Sequence, residues 1–375
     1  MNEIIEVSVI CLAYNHEKYI EQTIKSIVSQ ITDFKFELII HDDDSTDRTT
    51  DIVREYEKKH PDIIRPIYEE ENTYSKGYDA FRNLCIPTAK GKYIAFCEGD
   101  DYWIDNDKLQ IQYEAMERLT GVDMCACGAI ELEYDGETHD IRPVNKDCIL
   151  PVQDVIIGGG RYLATNTLFF RKELLMSYMP FEKILSFDYS YQIKGALRGG
   201  IYYIDRNMAV YRKATENSWT RLVERNVEKR KAHIEKEISM LRQFDIDTEG
   251  RYHTSIEKRI EAYTPFYDQL MNYREEFLNE LAACQDGIWI WGMGLRGDAV
   301  QKFCKNENII IDGVCDKRNT GFGEKTEHGY VIDSTENCLK KSKVILASNN
   351  IIYNYLMAEG YSGLLINLQN YMPLS

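Results

Sequence analysis

Residues Val7–Asn15, with the sequence VSVICLAYN, begin as a nearly unbroken apolar run of β-favouring residues and end in a polar loop. Apolar residues at helical spacing follow, with Asn15 as a candidate N-cap, so this stretch predicts a strand, a loop and a helix. The strand signal returns at 36–40, 63–68 and 93–97, and a helical pattern separates the first two of these ranges. Alternating strands and helices predict an α/β fold with a mostly parallel central sheet and helices on both faces. Ligands bind such sheets beyond the carboxyl ends of the strands, so functional residues are expected in the loops that follow them.

The composition limits the class of protein. The chain has 375 residues, which at about 150 residues per domain predicts two or three domains. Hydrophobic residues make up 44% of the chain and charged residues 28%, so it can bury sizeable cores and is not mainly disordered. The formal net charge of −16 repels a phosphate polyanion, which argues against general nucleic-acid binding.

The sequence also predicts where the protein works. No apolar stretch approaches the roughly 20 residues needed to cross a bilayer, and residues 1–15 turn polar too early for a signal peptide. We therefore expect a cytoplasmic protein, and docking at the inner face of the membrane through a partner stays open. The ten cysteines lack the spacing of a zinc site, which predicts reduced, mostly buried thiols.

Two acidic loops follow two of the predicted strands. Residues 41–47 read HDDDSTD, and residues 98–103 read EGDDYW. Crowded carboxylates repel one another and are tolerated when they face a cation or accept hydrogen bonds. Carboxylate pairs suit Mg²⁺ or Mn²⁺, which commonly bridge a protein to a diphosphate, so the loops predict a nucleotide diphosphate ligand. For the first loop, a solvated turn that caps the next helix is an equally weighted alternative.

Four motifs in a fixed order carry a family resemblance. They are VSVICLAYN at 7–15, DDDSTD at 42–47, Arg82-Asn83, and GKYIAFCEGDD at 91–101. Together they resemble the GT-A glycosyltransferases of family 2, over about the first 220 residues. The resemblance implies the GT-A nucleotide-diphospho-sugar transferase fold, which is Rossmann-like, and an inverting transfer of a sugar from a nucleotide-activated donor. It also implies a divalent metal cofactor, Mn²⁺ or Mg²⁺.

The resemblance further implies a set of donor-binding residues. Ala13 and Tyr14 are expected against the nucleotide and Asp43 on its base, whereas Asp100 and Asp101 are expected at the ribose and the metal-bound diphosphate. Asp100 and Asp101 are thus the expected metal ligands. The complete donor-binding set is Ala13, Tyr14, Asn15, Asp43, Arg82, Asp100, Asp101 and Arg212.

Glu98 departs from the family pattern, which often has Asp at this position, and this departure leaves open which carboxylate touches the metal. Arg212 or the neighbouring Lys213 is expected to stabilise the negative charge that grows on the leaving diphosphate. A surface ion pair is the alternative for Arg212. A histidine that the family often carries near this point is absent.

Asp188 is the candidate catalytic base. Inversion requires an acceptor hydroxyl to attack opposite the leaving diphosphate, and a carboxylate within reach can take its proton. The placement of Asp188 ahead of a helical segment is similar to that of the acidic base of the family, although Phe187 stands where the family more often has Glu. The alternative is a helix-start cap. Residues Thr165–Thr167 lie where the acceptor wall of the family begins, and no catalytic role is assigned to them.

A glycine motif near the C-terminus predicts a second α/β domain. Gly292, Gly294 and Gly297 follow a predicted strand, and Asp316 ends the next one. This pattern is typical of a nucleotide-binding turn, in which backbone N–H groups approach a phosphate and the acid binds a ribose. We rank a structural or assembly role first, a second nucleotide site next and a redox NAD site last.

The predicted organisation is a GT-A catalytic domain at 1–220, a helical connector at 221–285 and a small Rossmann-like α/β domain at 286–375. An apolar stripe on the connector leaves a homodimer as the minority interpretation. The predicted function is metal-dependent, inverting sugar transfer, with a UDP-sugar as donor and a saccharide, lipid-linked in surface polysaccharide assembly, as acceptor. The alternatives are an NAD-dependent sugar-nucleotide oxidoreductase and a non-catalytic nucleotide-sugar-binding assembly subunit.

Overall fold

The structure is a computed structural model that describes residues 4–133, 136–185, 188–213, 215, 227–282, 286–316 and 321–372. The chain divides into two compact units, Met1–Arg259 and Ile260–Ser375. The helical segment predicted at 221–285 therefore contributes to both units. No helix within the described ranges is long and apolar enough to span a bilayer.

The first unit is built on one ten-stranded sheet. Its strands are β1 Ile5–Ala13, β2 Lys35–Asp42, β3 Ile64–Tyr68, β4 Tyr93–Phe96, β5 Tyr102–Trp103, β6 Met124–Leu132, β7 Thr138–Ile141, β8 Cys148–Leu150, β9 Phe169–Arg171 and β10 Ile201–Arg212. The order is β3-β2-β1-β4-β9-β6-β10-β5, with β7 beside β6 and β8 beside β10. Strands β3, β2, β1 and β4 run parallel to their neighbours, as β6 does to β10, whereas β9 runs antiparallel between β4 and β6. The predicted α/β fold with a mostly parallel sheet is confirmed.

Helices flank this sheet. They are α1 Ile20–Val28, α2 Thr49–Lys59, α3 Ile86–Thr88, α4 Lys108–Arg118, α5 Val152–Gly158, α6 Lys172–Met176, α7 Asp188–Ala196, α8 Val227–Asp247 and α9 His253–Glu261. Helix α1 buries Ile20, Ile24 and Ile27, as their spacing predicts, but its N-cap is Tyr19 rather than Asn15. Asn15 instead has a positive φ of 55° and lies in the loop before the helix.

Strand β1 shows why this sheet is covered on both faces. Val7, Val9 and Cys11 are fully buried, and Ile10, which points to the opposite face, is 1% exposed. A strand that is apolar on both sides fits only between two layers of helices, which is the usual setting of a parallel strand.

The second unit is a small parallel sheet with its own core. Its strands are β11 Ile288–Trp291, β12 Gly313–Cys315, β13 Val344–Ala347 and β14 Leu364–Asn367, in the order β12-β11-β13-β14. Its helices are α10 Phe266–Asn272, α11 Arg274–Leu281, α12 Leu295–Asn306, α13 Thr335–Lys341 and α14 Asn350–Ala358. Helices α10 and α11 pack through Leu270 and Phe277 into the same core as Ile290. Strand β12 is shorter than the predicted 309–315, and Ile310 is 71% exposed.

Candidate active site

The loops after β1 and β2 are tied together through Asn15. Its backbone N–H donates to Ser45 Oγ at 3.0 Å, and its Oδ1 accepts from the Thr46 N–H at 2.8 Å. The Asp43 N–H also donates to the Ala13 carbonyl at 3.0 Å. These bonds need the left-handed backbone of Asn15, a conformation that Asn tolerates better than most residues. The structure thus joins three of the predicted donor residues at one rim of the sheet, with the neighbouring Tyr14 39% exposed.

Asp43 is 5% exposed and has hydrogen-bond donors on both carboxylate oxygens. Its Oδ1 accepts from the backbone N–H of Thr73 at 2.8 Å and from the Thr73 hydroxyl at 2.5 Å, and its Oδ2 accepts from the Tyr74 N–H at 3.0 Å. Asp43 therefore fixes the segment that follows β3 against the end of β2. Its expected contact with a nucleotide base stays a prediction.

The acidic loop after β4 is cross-linked to the end of β10. Asp101 Oδ1 accepts from the Arg212 N–H at 2.8 Å, and Asp100 Oδ2 accepts from the Thr215 hydroxyl at 2.8 Å. The Arg212 guanidinium donates to the Asp100 carbonyl and to Gln22 Oε1, and it lies 4.4 Å from the ring centroid of Tyr102. The structure therefore brings Asp100, Asp101 and Arg212 together, and their expected contacts with a donor stay predictions.

Carboxylates crowd this loop. Burial raises the pKa of Asp101 well above its usual range, and the charges of Asp100 and Glu98 raise it further, against a smaller lowering by Arg212. Burial also raises the pKa of Glu98, and the charges of Asp188 and Asp100 add to this effect. The turn Thr165–Thr167, next to Asp188, borders the end of β4, where the acidic loop begins.

These residues fit a divalent cation that is shared with a phosphate ligand. Asp101 Oδ2 is buried and has no hydrogen-bond partner among the described residues, so one oxygen is available as a hard ligand. The described part of the chain contains no cluster of three or more His, Cys, Asp or Glu that could hold a metal ion. At phosphate sites Mg²⁺ usually binds one or two carboxylates together with oxygens of the substrate.

Asp188 begins helix α7, and its Oδ1 has no hydrogen-bond partner among the described residues. Burial raises its pKa to about 6, against the lowering effect of a hydrogen bond to the Thr165 side chain. Sequence reasoning gave Thr165 no catalytic role, and the sequence carries no signal for this contact. The contact between Thr165 and Asp188 arises because β9 is antiparallel to β4. The turn Thr165–Thr167 that precedes β9 therefore lies beside the end of β4. Phe187 lies outside the described residues.

Arg82 is placed differently from the other predicted donor residues. Its guanidinium is buried and donates to Glu182 Oε1 at 2.9 Å, to the Tyr191 hydroxyl at 3.2 Å and to the Ser177 carbonyl at 2.7 Å. Lys194 contacts the same Glu182 carboxylate at 2.9 Å. Arg82 thus belongs to a buried ionic cluster, and the structure shows no bond from it to the acidic loop.

The glycine motif of the second unit is explained largely by close packing. Gly292 has φ 108°, and a Cβ there would lie 2.0 Å from Ser348 Oγ, while a Cβ at Gly297 would lie 1.8 Å from the Gly292 carbonyl oxygen. A Cβ at Gly294 would meet nothing within 4 Å. Asp316 Oδ2 accepts from the Met293 N–H at 3.0 Å and so holds the turn. This geometry favours the structural role that the sequence analysis ranked first, and the nucleotide site stays a prediction.

The fold and the acidic loops agree with a comparison to known families. Residues 8–214 match Glycosyl transferase family 2, and because this match covers more than half of the chain, the chain belongs to that family. The crystal structure of S. aureus TarS 1–349 in complex with UDP-GlcNAc has a TM-score of 0.54 and 18% sequence identity, over 82% of this chain and 84% of that one. This likeness confirms the GT-A fold.

Curated relatives are similar over shorter stretches. An uncharacterized protein of Mycobacterium tuberculosis is 30% identical over 213 residues, 56% of this chain and 60% of that protein. The putative teichuronic acid biosynthesis glycosyltransferase TuaG of Bacillus subtilis is 44% identical over 110 residues, 29% of this chain and 41% of TuaG. WfaP of Escherichia coli, a UDP-Glc:alpha-D-GlcNAc-diphosphoundecaprenol beta-1,3-glucosyltransferase, is 40% identical over 111 residues, 30% of this chain and 41% of WfaP. The chain spans at most 60% of the length of these relatives.

Proposed function

We propose that this protein is an inverting glycosyltransferase that moves a sugar from a nucleoside diphosphate donor, a UDP-sugar, to a hydroxyl of a saccharide acceptor. The observation that carries this proposal is the position of Asp188 next to Thr165, in the turn that borders the end of β4, where the acidic loop begins. The charge of Asp188 also raises the pKa of Glu98, two residues before Asp100. A proton acceptor beside a diphosphate site is the arrangement that a displacement at the anomeric carbon requires.

In this proposal the donor diphosphate binds at Asp100 and Asp101, which would hold Mn²⁺ or Mg²⁺ together with its oxygens. The cation supplies charge neutralisation for the leaving nucleotide. Arg212 orders the loop, because its N–H holds Asp101 and its guanidinium holds the Asp100 carbonyl. Its positive charge also favours the diphosphate more strongly as the glycosidic bond breaks.

Asp188 takes the proton of the acceptor hydroxyl. The freed oxygen attacks the anomeric carbon, the bond from that carbon to the diphosphate breaks, and the pair of electrons leaves with the nucleotide. Because attack and departure occur on opposite faces of the carbon, the configuration inverts. Asp188 Oδ1, which has no hydrogen-bond partner among the described residues, is the atom that receives the proton, while Thr165 holds the carboxylate in place.

We further propose a saccharide acceptor carried on a lipid diphosphate at the cytoplasmic face of a membrane, in surface polysaccharide assembly. Two relatives support this choice by their names, since one is assigned to teichuronic acid biosynthesis and the other uses a diphosphoundecaprenol-linked sugar. A homodimer also stays a prediction.

The test is a panel of UDP-, GDP- and CDP-sugars with the full chain, with and without Mn²⁺, read by thermal shift and by release of the nucleoside diphosphate. We expect a UDP-sugar to raise the melting temperature in a metal-dependent way and to be turned over by the wild type. Asp188→Asn should keep the thermal shift and lose turnover. The proposal would be contradicted if the UDP-sugar raised the melting temperature equally with EDTA and with Mn²⁺. It would also be contradicted if Asp188→Asn still released nucleoside diphosphate at the wild-type rate.

A further inference from the structure

The turn Thr165–Thr167 contains a fully buried residue, Asn166, that the proposed mechanism does not use. Asn166 is 0% exposed, so its side chain cannot contact a sugar and its polar groups serve contacts within the chain. Its carbonyl oxygen accepts from Trp103 Nε1 at 3.0 Å, and its Nδ2 donates to the Val210 carbonyl at 2.8 Å. Asn166 therefore joins the acidic loop after β4 to the end of β10.

These two bonds belong to a closed ring of three hydrogen bonds. The third is the bond from the Arg212 N–H to Asp101 Oδ1, at 2.8 Å. Trp103 lies two residues after Asp101 in the acidic loop. Val210 lies two residues before Arg212 on β10. Because the ring passes through the acidic loop, the turn before β9 and the end of β10, none of these segments can shift without stretching one of its bonds.

A second set of buried side chains connects Trp103 to the same turn. Lys108 and Gln112 on α4 are both 0% exposed. Lys108 Nζ lies 4.1 Å from the ring centroid of Trp103 and donates to Gln112 Oε1 at 2.7 Å. Gln112 Nε2 in turn donates to the Thr167 carbonyl at 2.8 Å. A buried amine or amide is costly unless it is hydrogen-bonded, and these two groups find their partners on a path from the indole to the turn.

The turn is also bonded to the helix that presents Asp188. Thr165, the neighbour of Asn166, bonds to the Asp188 carboxyl through its side chain. Gln192 Nε2, one turn further along α7, donates to the Leu163 carbonyl at 3.2 Å. The chain on either side of Thr165 is therefore fixed to the acidic loop in one direction and to the first turns of α7 in the other.

We propose that Asn166 and Trp103 are positioning residues that hold the candidate base at a fixed distance from the diphosphate site. The inference rests on the proposed function, because it concerns the spacing of the groups that act in that reaction. The acceptor hydroxyl must lie against Asp188 and in line with the leaving diphosphate at the same time, and a misplacement of about 1 Å can lower a rate about 10²-fold. Trp103, like Asn166, is enclosed, at 4% exposed, so the effect of both falls on turnover more than on donor affinity.

The test compares Trp103→Phe with Trp289→Phe in the full chain. Trp103→Phe removes the indole N–H that bonds to Asn166 and keeps an aromatic ring beside Lys108. Trp289 is the matched control, because it is buried, at 3% exposed, and its Nε1 has no hydrogen-bond partner among the described residues. The same volume is thus removed in both variants, but only Trp103→Phe breaks a hydrogen bond. Release of UDP gives kcat, calorimetry gives the Kd for UDP with Mn²⁺, and thermal unfolding gives the melting temperature.

We expect Trp103→Phe to lower kcat about tenfold and to change the Kd for UDP by less than about twofold, at a temperature well below the melting temperature of each variant. Trp289→Phe should keep the kcat of the wild type even where its melting temperature falls. Asn166→Ala removes the bond to Val210 and keeps the carbonyl that accepts from Trp103, and it should lower kcat by a similar factor.

Two results would overturn the inference and leave the proposed function intact. One is a Trp103→Phe variant with the kcat of the wild type, whatever its melting temperature, since that pattern marks a purely structural bond. The other is a Kd for UDP that rises by the same factor as kcat falls, since the ring would then serve the donor loop alone. If Asn166→Ala does not fold, Trp103→Phe still decides between these results. A wild type that binds UDP but releases none from any UDP-sugar and acceptor would contradict the proposed function, and the inference with it.

Discussion

The backbone N–H of Arg212 donates a 2.8 Å hydrogen bond to Asp101 Oδ1, across 111 positions of sequence. This bond closes the acidic loop against the last residue of β10, and it leaves Asp101 Oδ2 buried without a partner among the described residues. One oxygen of the same carboxylate thus organises the site and the other remains for a ligand.

Asp101→Asn should weaken metal-dependent donor binding. The amide oxygen can still accept from the Arg212 N–H, but the second ligand oxygen becomes an NH₂ group with no charge for a cation. We expect at least about a tenfold loss in UDP affinity with Mn²⁺ present, and little change with EDTA, by isothermal titration calorimetry. Asp51→Asn, in the exposed first turn of α2, is the control and should bind as the wild type does.

Asp188→Asn should abolish transfer and preserve donor binding. A positioned base contributes on the order of 10²- to 10⁴-fold to a rate, so kcat should fall within that range. The expected Kd for UDP and Mn²⁺ stays within about twofold of the wild type, because the role proposed for Asp188 concerns the acceptor hydroxyl and not the donor. Loss of UDP binding in this variant would show that Asp188 holds the donor instead.

The raised pKa of Asp188, about 6, predicts two pH dependences with opposite directions. Turnover needs the carboxylate, so kcat should fall as the pH drops below about 6. The stability of the fold depends on pH in the opposite direction. Between the ordinary pKa of Asp and about pH 6, the folded state keeps Asp188 protonated while the unfolded state releases the proton. The free energy of unfolding therefore decreases as the pH rises through this window. Asp188→Asn should flatten that slope in metal-free protein, measured by urea unfolding at pH 5 and pH 7. An unchanged slope would contradict the burial of this carboxyl.

Asp43→Ala should loosen the segment after β3. It leaves the N–H groups of Thr73 and Tyr74 without their acceptors, and because both bonds are only partly buried each loss costs about 0.5–1.5 kcal/mol. We expect a drop in the free energy of unfolding of about this size per bond and weaker UDP binding. Thr73→Val removes only the hydroxyl donor and should cost less. Equal stability of Asp43→Ala and the wild type would show that this network is not needed for the fold.

Two glycines of the second unit offer a matched comparison. Gly297→Ala puts a Cβ 1.8 Å from a backbone oxygen and should lower the melting temperature of this unit by several degrees, whereas Gly294→Ala has open space and should not. Differential scanning calorimetry of the full chain resolves the two effects. A neutral Gly297→Ala would argue against the structural explanation of the motif. Loss of binding to a nucleotide in Gly294→Ala, with stability kept, would support the nucleotide alternative.

Much of this fold could be predicted because the strands at the centre of the parallel part are mainly apolar runs. Val7–Leu12 and Phe36–Ile40 are such runs, and the loops after them are necessarily neighbours once the strands are parallel. The acidic loops could be located for the same reason, since they lie at strand ends, whereas Arg212 needed the family resemblance. Asp188 needed the family resemblance, because a lone Asp at a helix start has no distinctive local pattern.

The rest depends on contacts between distant segments. The ionic cluster of Arg82 and Glu182 joins residues 100 positions apart. No sequence pattern shows that the Arg82 guanidinium donates its hydrogen bonds to this cluster and not to a ligand. Thr165 lies beside Asp188 because β9 is antiparallel to β4. The three apolar and basic residues of β9 do not show this direction in the sequence.

The antiparallel direction of β9 also decides which segment of the chain borders the acidic loop. Because β9 is antiparallel, the segment that enters it, and not the one that leaves it, borders the acidic loop beside β4. The loops that follow β1, β2 and β4 leave their strands at this edge of the sheet, whereas residues Thr165–Thr167 arrive at β9 there. In the proposed function the first group binds the donor and the second borders the acceptor, so we expect insertions before Phe169 to change which acceptor is glycosylated and to leave donor binding unchanged.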